Sequence, residues 1–111
     1  MPHDEEVYLR HIRDPIEKIE QYTREVDESA FKRRTIVQDA VIRQIEIIGE
    51  AVKRLPPAFR ASHEMIPWQD IARVRDKLIH DYFGVDVEKV WLTVQEDIPQ
   101  LKAVVDRILS S

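Results

Sequence analysis

The chain contains no cysteine, which rules out a disulfide framework and any thiolate metal site and fits a reducing, cytoplasmic setting. Glycine is nearly absent too, at 2 residues in 111. With so few positions suited to tight turns, long helices with few turns are expected. No apolar run approaches the roughly 20 residues that span a bilayer, so no membrane helix is expected. The opening MPHDEEVYLR lacks the basic-then-apolar order of a secretory leader. An excess of positive charge is also missing, since the formal net charge is −4. Proteins that coat nucleic acid through bulk electrostatics are usually basic. Any nucleic-acid contact must therefore come from a local basic patch. The 4 histidines, His3, His11, His63 and His80, are scattered with no pair at ligand spacing. Neither a metal site nor a cofactor is expected.

What is present reads as helix throughout. At 111 residues with 43% hydrophobic and 34% charged content, the chain is expected to form a single domain over 1–111 with one core. Tyr8, Leu9, Ile12, Ile16, Ile19, Tyr22 and Val26 keep one stripe at helical spacing, so a first helix is expected from Glu5 to Val26. Pro15 lies inside it and predicts a kink rather than a break, because the stripe stays in register across it. Asp27 to Ser29 supply turn and capping chemistry. A second, longest helix is expected from Ser29 to Leu55, ended by Pro56-Pro57. Its main stripe is Val37, Val41, Ile45, Ile48, Val52 and Leu55, and a second apolar strip, Ile36, Ala40, Ile47 and Ala51, lies beside it. Together they exceed what one packed neighbour needs, which points to a homodimer or to a helix buried centrally in its own bundle. Gln38 and Gln44, near the apolar side, are candidates to line a polar cleft.

Ala58 to Pro67 is expected as a connector pinned by Phe59, Met65 and Ile66. Pro67 suits the first turn of a following helix, and Trp68 should pack in the core. After Gly84, Asp86 is a candidate N-cap for a segment running to Leu109. Pro99 predicts either one kinked helix or two joined around Asp97. No strand signal and no repeat is present. Four or five helices with short connections make an all-α antiparallel bundle.

The stretch Ile71 to Gly84, IARVRDKLIHDYFG, is organised differently. At about 100° per residue, Ile71, Ala72, Val74, Leu78, Ile79 and Phe83 spread over one broad apolar arc with Arg75 near its middle. Tyr82 falls almost directly above Arg75, and Asp76 and His80, at i and i+4, meet on an adjoining face. An arginine within a core-facing arc is costly unless it meets an anion or a polar surface. Either a carboxylate such as Glu46 or Glu50 meets Arg75, or this face lines a cleft. Arg73, Arg75 and Lys77 are the first candidates for a basic patch, and Lys32, Arg33 and Arg34 a second, with a solvated helix start as the alternative for the latter.

Arg75, His80 and Tyr82 match the RX4HXY motif, and on this the chain resembles the HEPN superfamily, in particular the small HepT toxins of HEPN–MNT toxin–antitoxin pairs. The resemblance extends through Gln38-Asp39-Ala40-Val41-Ile42-Arg43, Ile48-Gly49-Glu50-Ala51, Ile66-Pro67-Trp68, Trp91 and Ile98-Pro99, covering nearly the whole chain in order. Where that family most often has Asn after the Arg, this chain has Asp76.

The resemblance implies a HEPN-like bundle and a metal-independent endoribonuclease acting at a dimer cleft. RNA supplies its own nucleophile, the 2′-hydroxyl, so a catalyst needs a base for that proton and positive charge for the phosphorane. His80 exchanges protons near neutral pH. Arg75 can hold two phosphate oxygens and stays charged. Asp76 can orient the His80 ring as a supporting residue. Two features favour protonated His80, its place near a helix C-terminus and its neighbours Asp76 and Asp81, so both acid and base roles stay open. The resemblance further implies a nucleotidyltransferase antitoxin as partner and makes Tyr82 the residue that receives AMP. A non-catalytic, nucleotide-binding adaptor of such a transferase is the alternative, and a structural bundle with a coincidental motif is the third reading. RNA is the expected substrate; no DNA or membrane partner is expected.

Overall fold

The computed structural model describes residues 3–73 and 86–110, and among them every regular element is helical. Helix α1 spans His3–Thr23, α2 Glu28–Arg33, α3 Thr35–Arg54 and α4 Pro57–Ser62. A fifth helix, α5, begins at 68 and is described through 73. Helix α6, Val87–Leu92, leads through a π-helical turn, Thr93–Asp97, into α7, Ile98–Leu109. This is the expected all-α bundle. Helix α1 lies along α3 and also packs on α7, while α2 is wedged against α3 and α6.

The α1 stripe appears as expected: Leu9, Ile12, Ile16 and Ile19 are buried. The helix passes through Pro15 without a break. It stops at Thr23, three residues short of the expected end, where the Thr23 hydroxyl donates to the Ile19 carbonyl at 2.8 Å. Opposite it, Val37, Val41, Ile45, Ile48 and Val52 of α3 are buried. Lys102 of α7 bridges both carboxylate oxygens of Glu20 at 2.9 and 3.0 Å. The pair is part-exposed, and such pairs contribute at most about 1 kcal/mol.

The expected single helix from Ser29 to Leu55 is two. Asp27 caps α2 through the Ala30 amide at 2.8 Å, and α2 ends at Arg34, whose φ of −108° and ψ of 88° leave the helical region. Thr35, Ile36 and Val37 follow, three β-branched residues whose χ1 freedom is restricted in a helix. Gln38 closes the elbow. Its side-chain amide donates to the carbonyls of Phe31 at 2.8 Å and Lys32 at 3.1 Å. Both carbonyls lie in the last turn of α2, where a terminating helix leaves acceptors short of partners, although Phe31 O also accepts from the Arg34 amide at 3.3 Å. Gln38 is thus a helix-end clamp, not the cleft residue expected from its position. The elbow turns Phe31 into the core, fully buried and 5.2 Å from the Trp91 ring. Full burial of such a side chain contributes about 1.5–3 kcal/mol.

The connector also differs from expectation. Leu55 is extended, as a residue before proline prefers, and Pro57 starts the short helix α4. Proline suits that first position because the helix does not need its N–H there. Phe59, Ile66 and Trp68 are buried, but Met65 is 68% exposed and touches the bundle through its sulfur, which accepts from Arg107 Nη2 at 4.0 Å, not through apolar burial. The Trp68 indole N–H donates to the carbonyls of Arg60 at 3.2 Å and His63 at 3.0 Å, tying α5 to the end of α4.

The C-terminal segment is one helix with a widened turn. The Ile98 amide donates to Thr93 O, five residues back. Pro99 enters directly after this turn and lacks an N–H to donate, so the extra residue relieves the mismatch without ending the helix. Asp86 caps the segment as expected, accepting from the Lys89 amide at 3.1 Å.

Candidate functional site

The motif residues Arg75, Asp76, His80 and Tyr82 lie outside the described residues, as do Lys77, Asp81 and Gly84. The structure does describe the two ends that hold the stretch. On the entering side, Trp68 and Ile71 are buried, and Ile71 donates its amide to the Pro67 carbonyl at 3.1 Å, opening α5. On the leaving side stands the Asp86 cap.

Between these ends lies an open cleft of about 470 Å³ lined by Asp70, Arg73, Lys89, Leu92, Thr93, Glu96 and Asp97. Arg73, two residues before Arg75, is exposed and stands 3.9 Å from Asp70. The π-helical turn forms the facing wall. Partial burial, then the neighbouring charges of Glu96 and Asp70, hold the Asp97 carboxyl above its ordinary value of 3.8, with Lys89 opposing them. The cleft thus carries mixed charge with a carboxylate reluctant to ionise. Sequence reasoning did not assemble this wall. Pro99 was its only signal, because a π-helical turn has no composition of its own.

The face of α3 beside the core is the second notable feature. Ile36 is 85% exposed, while Ala40 and Ile47 are half-buried and Ala51 is buried. Gln44 sits at the margin of this strip, only 7% exposed, and its side-chain carbonyl oxygen has no hydrogen-bond partner among the described residues. A buried orphan acceptor is uncommon and calls for an explanation. Glu46 lies 3.7 Å from Arg43 and Glu50 3.8 Å from Arg54, both one turn apart on α3. Whether either meets Arg75 falls on the undescribed stretch. Among the described residues no group of three His, Cys, Asp or Glu is gathered as a metal site requires, and no helix is long and apolar enough to cross a membrane.

The family model described as ribonuclease HepT-like matches residues 12–108. The chain is 52% identical over 101 residues to a probable ribonuclease HepT of Thermococcus cleftensis, covering 91% of this chain and 92% of that protein. It is 42% identical over 102 residues to a protein of Caldanaerobacter subterraneus subsp. tengcongensis named as a candidate RNase, covering 92% and 91% respectively. A Methanocaldococcus jannaschii protein named for gamma-glutamylcyclotransferase and a candidate RNase is 49% identical over 109 residues. That alignment takes in 98% of this chain but 49% of the relative, so the chain spans about half of it. No solved structure matches.

Proposed function

This chain belongs to the ribonuclease HepT-like family, and we propose that it is a metal-independent endoribonuclease, the toxin of a HEPN–MNT toxin–antitoxin pair acting in the cytoplasm. The carrying observation is a family match over residues 12–108 that encloses Arg75, His80 and Tyr82 at the RX4HXY spacing. The match argues against the reading of a structural bundle with a coincidental motif.

In the proposed reaction the 2′-oxygen attacks the adjacent phosphorus and the 5′-oxygen leaves. One proton passes from the 2′-hydroxyl to a base, and one from an acid to the leaving oxygen. The products are a 2′,3′-cyclic phosphate and a 5′-hydroxyl. His80 carries a proton, Arg75 holds the phosphorane oxygens and Asp76 orients the imidazole. A single His serves as base or acid, so two copies facing each other across a symmetric cleft complete the set. Ile36, 85% exposed at the head of an α3 strip whose other members are half-buried or buried, supports a homodimer through α3. A second chain covering this face would bury Ile36.

The antitoxin is proposed to be a nucleotidyltransferase that moves AMP from ATP to Tyr82. The tyrosine oxygen attacks the α-phosphorus and pyrophosphate leaves. The added anion beside Arg75 would compete with RNA phosphate. Intact mass of protein co-produced with its partner tests this; no AMP adduct, or one that persists in Tyr82→Phe, refutes it. The second reading, a nucleotide-binding adaptor without catalysis, is separated by assay. Wild type and His80→Ala are incubated with labelled structured RNA in excess EDTA. Cleavage by wild type alone, leaving cyclic-phosphate ends, is expected. A folded, unmodified wild-type dimer that cuts no RNA would favour the adaptor.

A further inference from the structure

The elbow between α2 and α3 carries Lys32, Arg33 and Arg34 in succession, all exposed. Of these only Lys32 faces an acid, Glu28 at 3.6 Å. Arg33 is bonded to a neutral partner, the Ser29 hydroxyl at 2.9 Å. Arg34 forms no ion pair among the described residues. The acids nearby are otherwise engaged or set apart: Asp27 caps the Ala30 amide, and the first turn of α3 has no acidic residue, the nearest beyond it being Asp39. The segment is not a loose loop. The Gln38 amide bonded to two carbonyls of α2, with Phe31 fully buried beneath, holds the backbone that bears both arginines. Two adjacent guanidiniums on a clamped backbone, neither paired with a carboxylate among the described residues, suit bidentate contact with successive phosphates.

We propose that Arg33 and Arg34, with Lys32 beside them, form an RNA-backbone anchor separate from the Arg75–His80 motif. The proposal rests on the ribonuclease reading above. Two further observations favour RNA as the occupant. With a net charge of −4 the chain repels a polyanion overall, so retention of RNA needs a local patch. Ile36, two residues beyond Arg34, begins the α3 strip proposed as the dimer face, so the anchor lies beside that face.

The test uses the full chain carrying His80→Ala, so that RNA persists, and labelled single-stranded RNA in anisotropy titrations at several salt concentrations. Arg33→Gln/Arg34→Gln is compared with Arg10→Gln/Lys18→Gln, which removes the same charge from α1. Thermal melts confirm that both variants fold. Neutralising one phosphate of a single strand releases about 0.7 counterion, so the elbow variant should show a salt slope shallower by about 1.4 and, at 0.1 M salt, a Kd raised about 25-fold. The α1 variant should stay within about threefold of its parent. Equal weakening in the two variants, or an unchanged slope in the elbow variant, overturns the anchor while leaving the ribonuclease reading intact. If the His80→Ala parent binds no RNA and wild type cuts none, both readings fall together. Unchanged RNA binding with loss of binding to poly-L-glutamate would assign the elbow to an acidic protein and likewise overturn the proposal.

Discussion

Replacing Gln38 probes the feature that sequence reading missed most plainly, the clamp between α2 and α3. Its amide nitrogen makes two hydrogen bonds, one to the part-buried Phe31 carbonyl at 2.8 Å and one to the exposed Lys32 carbonyl at 3.1 Å. A neutral hydrogen bond contributes about 0.5–1.5 kcal/mol net, and the exposed carbonyl can recover a water. Gln38→Ala should therefore cost about 1–2 kcal/mol, which in a domain of this size lowers Tm by roughly 4–8 °C. Gln38→Glu is the sharper variant. It keeps the size but at neutral pH turns a carboxylate toward two carbonyl oxygens, so it should destabilise more than alanine does. Chemical denaturation at pH 7 with an unchanged m-value would read both. A Gln38→Glu protein as stable as wild type would refute the clamp and return Gln38 to the cleft-lining role. So would an alanine variant that lost cleavage without losing stability.

The other predictions follow from single sites. If the proposed dimer forms through α3, Ile36→Asp should leave a folded monomer in sedimentation where wild type is dimeric, because Ile36 is 85% exposed and an acid in a helix's first turn is favourable; loss of fold, or an intact dimer, would remove the α3 strip as interface. Asp97 has a raised folded pKa, so it binds its proton more tightly folded than unfolded, and stability falls as pH rises from about 3.8 through the folded value. Asp97→Asn should then be more stable than wild type at pH 7 and lose that advantage as pH drops below 3.8; an advantage unchanged by pH would refute burial of the charge. Ile48→Ala empties a fully buried position between α1 and α3 and should cost about 2–5 kcal/mol in urea unfolding; a cost under about 1 kcal/mol would mean that the core there collapses freely.

Much of the bundle was legible because burial imposes a period. The stripes of α1, α3 and α7 reappear as buried residues, and Asp27 and Asp86 cap the helices they precede, since an acid before an apolar run has one dominant use. The motif stood out for a different reason, since the spacing puts Arg75 in an apolar arc and arginine there demands a partner, but that arc lies outside the described residues. The elbow at Arg34 was not legible, because an apolar period runs through residues 31 to 55 whether the helix is broken or not. Met65 is not buried as Phe59 and Ile66 are, because hydrophobicity does not say which of two adjacent apolar residues faces inward.

Residue types and their spacing therefore decided, without coordinates, that the chain is all helical and lacks a cysteine site, and they placed Arg75, His80 and Tyr82 in a family pattern. Local propensity and periodicity act within a few turns of one helix, and those conclusions need nothing longer. Only the tertiary structure decided that Gln38 ends α2, that Phe31 meets Trp91, that a π-helical turn before Pro99 faces α5, and that Ile36 and two arginines stand uncovered at one elbow. Each of these depends on which segments meet across the core, and no pattern within a single helix encodes that.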